Sequence, residues 1–156
     1  MLKPGDRAPD AVFVLADGTH VNVAALGGRP AVIYFYPKDD TPGCTTEAKD
    51  FSALAADFAA LGARVIGVSK DSPQSHVKFA KKHDLSVELI SDVDGVLCEA
   101  FGVWIEKSMY GRTYMGIERA TFLIDADGQV ASVWGKVKVK GHAESVLATL
   151  RAAVTS

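Results

Sequence analysis

The feature that most constrains the fold is the run AVIYFY at residues 31–36, which is bounded by Pro30 and Pro37. It is an uninterrupted series of mainly β-branched and aromatic residues. A strand with one face in water alternates apolar and polar residues, whereas a strand covered on both faces does not alternate. The run therefore predicts a central strand in a sheet with both faces buried.

A long amphipathic helix is predicted to follow this strand. Thr45 or Thr46 can open it, and Gly62 supplies the stop. The apolar side chains between these points recur every three or four positions, which is typical of a helix packed along one side: Phe51, Leu54, Phe58 and Leu61.

Strands and helices continue to alternate after Gly62. ARVIGVS predicts a strand, and DSPQSHVKFAKKH predicts a helix in which Ser72 caps and Pro73 occupies the first turn. SVELIS predicts a further short strand. DGVLCEAFG predicts a short helix that ends near Gly102.

Two β-hairpins and a last helix complete the pattern. AVFVLADGTHVNV predicts an N-terminal hairpin turning at Asp17 and Gly18, and RATFLIDADGQVASVWG predicts a second one turning at Asp127 and Gly128. HAESVLATLRAAV has a helical stripe. The expected fold class is an α/β sandwich with a mixed central sheet and an added N-terminal hairpin, and residues 1–156 are expected to form a single domain.

Composition excludes several classes of partner. The chain has 48% hydrophobic and 23% charged residues and a formal net charge of −2, so neither a nucleic-acid nor a membrane partner is expected. The lysine-rich run GKVKVK is interpreted as the solvated face of a strand.

The N-terminus does not resemble a signal peptide, so a cytoplasmic location is expected. In the cytoplasm two cysteines are more often free or catalytic than bridged.

Cys44 lies where a reactive thiol is expected. It follows a Thr41-Pro42-Gly43 turn and stands in or just ahead of the first turn of the predicted helix. The unpaired N–H groups and the positive dipole end of a helix favour a thiolate, and cysteines in such surroundings titrate at roughly 3.5 to 7.5 when cations help. Pro42 and Gly43 supply a loop that allows a small substrate to approach the sulfur closely, and Thr41 could hydrogen-bond to sulfur or substrate.

These residues resemble a known family. Pro37, Thr41 and Cys44 in PKDDTPGC match the Pro-x-x-x-Thr-x-x-Cys motif of peroxiredoxins. The segments KPGDRAPDAVF, GVSKDSPQSHVKF and YMGIERATFLID resemble the peroxiredoxin Q, or bacterioferritin comigratory protein, subfamily. The resemblance covers almost the whole chain.

The resemblance implies a thioredoxin-like fold and a thiol-dependent peroxidase that reduces hydrogen peroxide and organic hydroperoxides. Cys44 becomes the peroxidatic nucleophile, which is oxidised to a sulfenic acid, and Pro37 and Thr41 join it as family site residues. The family's catalytic arginine falls on Arg119. A guanidinium suits this role because it stays charged and presents forked donors to sulfur and peroxide at once.

Neighbouring charges have more than one interpretation. Glu47 matches a family position that orients the arginine, but a carboxylate there could equally well only favour the start of a helix. Lys38 and Asp39 are interpreted as loop charges.

The expected recycling step departs from much of the subfamily. Lys49 and Ala80 occupy the two positions where relatives carry a resolving cysteine. Cys98 has apolar neighbours and is interpreted as a buried structural thiol, with a resolving role as the alternative. A one-cysteine mechanism is therefore expected, in which thioredoxin, glutaredoxin or a small thiol reduces the sulfenic acid.

Two other classes remain as alternatives. A disulfide oxidoreductase would need a Cys-x-x-Cys pair, but Cys44 is followed by Thr45, Thr46 and Glu47. A non-catalytic thioredoxin-like binding or chaperone module would not need Cys44, Thr41 and Arg119.

No metal or other cofactor is expected because the histidines are scattered. The chain is expected to be a monomer or weak homodimer.

Overall fold

The computed structural model describes residues 1–10, 12–15, 19–22 and 28–155. These residues form the following strands: β1 (Val12–Val14), β2 (His20–Asn22), β3 (Ala31–Phe35), β4 (Arg64–Ser69), β5 (Glu88–Ser91), β6 (Trp104–Met109), β7 (Arg112–Ile117), β8 (Ala120–Ile124) and β9 (Val130–Trp134). The helices of the described residues are α1 (Pro42–Ala53), α2 (Ala55–Ala60), α3 (Pro73–His83), α4 (Val96–Ala100) and α5 (His142–Thr155).

The main sheet has β3 at its centre. Among the described residues its strand order is β5-β4-β3-β8-β9, with β3 parallel to β4 and antiparallel to β8. All five residues of β3 are buried. The predictions of a central strand at this position and of a mixed sheet are confirmed.

Alternate side chains of β3 enter two different cores, as the pleat of a strand requires. Tyr34 points to the first core, where it stacks on Phe51 of α1 at 4.7 Å between ring centroids. Phe35 points to the second core and packs against Phe101, which directly follows α4, and Phe122 of β8. The sheet is therefore the wall between two apolar cores.

The helix after β3 differs from its prediction at its start and in its middle. It begins at Pro42, ahead of Thr45 and Thr46, because Thr41 is extended (φ −98°, ψ 154°) and Pro42 suits the first helical position. It also breaks near Leu54, whose N–H bonds to the Phe51 carbonyl in a tightened turn. The predicted single helix is therefore two helices, α1 and α2.

The helix α3 and the later hairpin follow the sequence pattern closely. Ser72 accepts a hydrogen bond from the Ser75 N–H, and Pro73 is the first residue of α3. The strands β8 and β9 pair antiparallel around a turn in which Gly128 has a φ of +84°. The N-terminal strands β1 and β2 also pair antiparallel, whereas their predicted turn at Asp17 and Gly18 lies outside the described residues.

The hairpin of β6 and β7 was not predicted. Its strands pair antiparallel, and its turn consists of Tyr110 and Gly111, which both have positive φ values (53° and 76°). Such a turn matches the twist of two antiparallel strands, and Gly111 was the available sequence indication of a turn here. This hairpin leads the chain directly to Arg119.

The strand predicted at GKVKVK is absent from the structure, which describes all of these residues. Strand β9 ends at Trp134, and Lys136 takes a left-handed conformation (φ 47°) that a strand cannot continue through. The three lysines are exposed, so their predicted contact with solvent is confirmed. None of the helices in the described ranges is long and apolar enough to cross a membrane.

Candidate active site

Cys44 is the third residue of α1 and lies in its first turn. The first helical hydrogen bond runs from the Thr45 N–H to the Thr41 carbonyl, so the helix ladder leaves the Cys44 N–H unused. The cysteine is only 1% exposed. Its sulfur therefore sits at the positive end of a helix and is shielded from bulk water.

Arg119 reaches Cys44 because of the strand register. Ala120, the first residue of β8, pairs with Phe35 at the end of β3, where the loop towards α1 begins. The Arg119 Nη2–H donates to Cys44 Sγ at 3.3 Å, although the two residues are 75 positions apart in the chain. An antiparallel strand thus delivers a fixed cation to the sulfur.

Glu47 holds the other side of this guanidinium. It lies three residues after Cys44 on α1, so both side chains share one helix face. The Arg119 Nη1–H donates to Glu47 Oε1 at 2.6 Å. Of the two interpretations of Glu47, this contact fits the one in which the carboxylate orients the arginine.

Burial governs the charge state of this pair. Glu47 is 1% exposed, and its burial raises its pKa to about 7 even though Arg119 acts in the opposite direction. Its Oε2 has no hydrogen-bond partner among the described residues. Burial acts to lower the pKa of Arg119, but the charges of Glu47 and Cys44 outweigh it and the pKa is raised. Arg119 stays a cation beside the sulfur.

Gly43 lies close to the arginine. A Cβ built on Gly43 would lie 3.2 Å from Arg119 Nη2, which is tighter than ordinary van der Waals contact. Pro42 beside it is exposed at the first helical position. The loop thus leaves the guanidinium room to lie against the helix start.

Thr41 differs from one part of its prediction. Its Oγ1–H donates to the Lys38 carbonyl at 2.8 Å, so the hydroxyl proton is not available to the sulfur. Within the described structure its side chain also makes no hydrogen bond that caps α1. The lone pairs of Oγ1 remain available as acceptors. Pro37 lies exposed just after β3, at the start of this loop.

Asp39 is not the loop charge that the sequence suggested. It is 7% exposed, and its carboxylate lies 2.7 Å from His76 Nδ1 and accepts from the Tyr36 hydroxyl at 2.6 Å. Lys38 is exposed, as expected. The sequence offered one indication of this site: His76 shares a face of α3 with Phe79, which favours an inward direction.

Cys98 lies in different surroundings. It is fully buried on α4, and its N–H donates to Asp92 Oδ2 at 2.9 Å. Burial and then the Asp92 carboxylate raise the pKa of the Cys98 thiol. Cys98 belongs to the core that holds Phe35, whereas Cys44 belongs to the core on the opposite face of the sheet. Both cysteines are free thiols in the described structure.

Comparison with known proteins identifies the family of this site. The model of the AhpC/TSA family matches residues 4–133, which is most of the chain. The chain belongs to the AhpC/TSA family. It is a peroxiredoxin, a thiol-dependent peroxidase, and the family predicted from the motif is confirmed.

Individual relatives place this peroxiredoxin among the Bcp proteins. Peroxiredoxin Bcp of Xanthomonas campestris is 52% identical over 143 residues, covering 92% of this chain and 89% of that protein. Peroxiredoxin Bcp of Bacillus subtilis is 49% identical over 150 residues, covering 96% of each. These identities confirm the predicted subfamily.

A solved structure confirms the predicted thioredoxin-like fold. Bacterioferritin comigratory protein of X. campestris is 47% identical and superimposes with a TM-score of 0.91 over 97% of this chain and 99% of that chain. Its structures are of a trapped intermediate and a ligand complex, and they concern the alkyl peroxide reduction activity of that protein.

Proposed function

We propose that this peroxiredoxin reduces hydrogen peroxide and organic hydroperoxides with Cys44 as the peroxidatic nucleophile. The observation that carries the proposal is the Arg119 guanidinium, which bridges Cys44 Sγ at 3.3 Å and Glu47 Oε1 at 2.6 Å. A cation fixed in this way stabilises negative charge first on the sulfur and then on the peroxide oxygens.

The proposed step is an attack of the Cys44 thiolate on one peroxide oxygen. The S–O bond forms as the O–O bond breaks, so sulfur is oxidised to a sulfenic acid and the peroxide is reduced. The departing hydroxide or alkoxide takes up a proton and leaves as water or alcohol. Arg119 and the Cys44 N–H face the charge that develops on the oxygens.

Thr41 has a defined part in this step. Because its own proton bonds to the Lys38 carbonyl, its Oγ1 can only accept a further hydrogen bond. A hydroperoxide carries one O–H donor, and accepting that hydrogen bond would orient the peroxide for attack.

The proposed substrates include organic hydroperoxides as well as hydrogen peroxide. The X. campestris relative is described by its alkyl peroxide reduction activity, and this chain is 47% identical to it. The reacting residues Cys44, Glu47 and Arg119 all come from one chain, so a monomer would suffice for the reaction.

The proposed mechanism uses one cysteine. Cys98 packs in the core on the other face of the sheet from Cys44, and its thiol is kept protonated by burial. The two positions where relatives carry a resolving cysteine hold Lys49 and Ala80, so neither offers a second thiol. An external thiol, such as thioredoxin, glutaredoxin or a small thiol, would then reduce the sulfenic acid. Resolution by Cys98 is the alternative and would need local unfolding.

Peroxide consumption with dithiothreitol as reductant tests the nucleophile. The wild type is expected to consume hydrogen peroxide and an alkyl hydroperoxide, and Cys44→Ser is expected to lose both activities because its hydroxyl is not a comparable nucleophile. Equal rates in the two proteins would contradict the proposal and leave the binding-module alternative.

Intact mass tests the recycling step. Wild type and Cys98→Ser are treated with peroxide and measured without reductant. A gain of oxygen in both proteins is expected from the one-cysteine mechanism. A loss of two hydrogens in the wild type alone would show a disulfide and would establish Cys98 as the resolving cysteine.

A further inference from the structure

A buried polar cluster lies between the loop before α1 and helix α3, outside the residues that contact the sulfur. Its centre is the Asp39 carboxylate, which accepts from the Tyr36 hydroxyl at 2.6 Å and the Ser75 hydroxyl at 2.8 Å and lies 2.7 Å from His76 Nδ1. The Asp39 and His76 side chains are 3% and 0% exposed. Tyr36, Asp39, Ser75 and His76, together with Asp71, are called the Asp39 network.

The hydrogen-bond partners hold the His76 ring in one orientation. Its Nε2 lies 2.8 Å from the Ile90 carbonyl oxygen, which can only accept, so Nε2 carries a proton. Burial acts to raise the pKa of Asp39, but hydrogen bonds from His76, Tyr36 and Ser75 together with the charge of His76 lower it. The carboxylate is therefore ionised, and the His76 ring is held between this carboxylate and the Ile90 carbonyl.

The same network fixes one peptide plane. The Asp39 N–H donates to Asp71 Oδ2 at 2.9 Å, and Asp71 Oδ2 is itself held by the Ser69 hydroxyl at 2.6 Å. The carbonyl of this peptide unit is the Lys38 oxygen that accepts from Thr41 Oγ1. Because a peptide is planar, anchoring its N–H also sets the direction of its carbonyl.

This direction decides what the Thr41 hydroxyl does. A threonine immediately before a helix ordinarily uses its side-chain oxygen to accept from the second or third helical N–H, and here the third is Cys44. The structure, which describes both residues, has no such cap, because the hydroxyl turns to the Lys38 carbonyl. The Cys44 N–H and the Thr41 lone pairs both stay available to a substrate.

We propose that the Asp39 network positions Thr41 for peroxide reduction by holding the Lys38–Asp39 peptide, so that the Thr41 hydroxyl serves as an acceptor and does not cap the Cys44 N–H. His76, Asp39 and Asp71 are positioning residues that act through Thr41. The proposal rests on the proposed function of Cys44.

Rates of the peroxide step, measured by stopped-flow fluorescence at fixed pH, test the network. Asp71→Ala removes the acceptor of the Asp39 N–H and is expected to slow the reaction roughly ten-fold, since small misplacements are costly in catalysis. Asp71→Asn keeps an acceptor oxygen and is expected to react nearly as the wild type does. His76→Gln removes the ring that lies 2.7 Å from the Asp39 carboxylate and should slow the reaction by a factor similar to that for Asp71→Ala.

A double-mutant cycle separates positioning from general loss of structure. In a Thr41→Val background the hydroxyl is gone, so Asp71→Ala and His76→Gln are expected to cause little further slowing. The matched control is His83→Gln, which removes a contact to Asp40 of the same loop from the same helix and should leave the rate unchanged.

The outcomes are distinct. Wild-type rates in Asp71→Ala and His76→Gln, or equal slowing with and without the Thr41 hydroxyl, would overturn the positioning role while Cys44→Ser still lacks activity. A Cys44→Ser protein as active as the wild type would overturn the proposed function itself.

Discussion

The two cysteines are equally buried, at 1% exposure for Cys44 and 0% for Cys98, yet their surroundings are opposite in charge. Cys44 lies at the start of the twelve-residue helix α1 and accepts from a guanidinium. Cys98 lies within the five-residue helix α4, where burial and then the Asp92 carboxylate raise the pKa of its thiol. The comparison teaches that exposure does not distinguish the proposed nucleophile from the core thiol, whereas the sign of the nearest charge does.

Removing the guanidinium should abolish most of this contrast. We expect Arg119→Ala to slow the peroxide reaction by about 10²–10³, which corresponds to the roughly 2.7 to 4 kcal/mol lost with one oxyanion donor. Arg119→Lys keeps the charge but cannot bridge sulfur and carboxylate, so it should recover only part of the rate. Stopped-flow kinetics measures both. An unchanged rate in Arg119→Ala would mean that Cys44 does not depend on this cation.

Glu47 sharpens the comparison through its effect on stability. Because its pKa is raised from 4.5 to about 7, the folded protein keeps a proton that the unfolded chain has lost between these pH values. The free energy of unfolding should therefore fall as pH rises from 4.5 to 7, by about 3 kcal/mol from this group. Glu47→Gln cannot titrate and should flatten the curve.

Urea unfolding at a series of pH values measures this difference. Glu99→Gln, a change of an exposed carboxylate on α4, is the control and should keep the wild-type slope. A Glu47→Gln curve parallel to that of the wild type would contradict the assignment of a buried, proton-holding carboxylate.

Gly43 tests how closely the cation must approach the sulfur. Gly43→Ala would place its Cβ 3.2 Å from Arg119 Nη2 and push the guanidinium away by a few tenths of an ångström. We expect the peroxide reaction to slow about ten-fold. Stability should be unchanged or rise by up to about 1 kcal/mol, since alanine is the better helix former. Thr46→Ala, a change of an exposed neighbour, should keep the wild-type rate. Equal rates in Gly43→Ala and Thr46→Ala would show that the reaction does not depend on the close approach of Arg119 to Gly43.

The sequence predicted the central strand and the position of Cys44 in the first turn of a helix, because each depends on local pattern. The run at residues 31–36 specifies a buried strand, and the Thr41-Pro42-Gly43 turn before Cys44 specifies a helix entry. The pairing of Arg119 with Cys44 spans 75 positions and came from the family motif. Periodicity alone carries no such long-range information.

The residues that were missed depend on tertiary contacts. Asp39 and His76 lie 37 positions apart and meet only because the loop before α1 packs against α3. Asp39 lies between charged Lys38 and Asp40 in the sequence, and such a run of charged residues favours a solvated loop. The prediction of a strand at GKVKVK was wrong for a different reason. The alternating lysines are exposed as predicted, but the left-handed conformation of Lys136 ends the strand before them.

Cys98 offers the smallest expected effect on rate. Cys98→Ala removes a buried sulfur from the core beside Phe101, so the free energy of unfolding should fall by about 1–2 kcal/mol. The peroxide rate should not change, because the sheet separates this side chain from Cys44 and no charge near the sulfur is altered. Stopped-flow kinetics and urea unfolding of one preparation measure both quantities. A slower peroxide reaction with intact stability would place Cys98 in the chemistry and would undo the contrast between the two thiols.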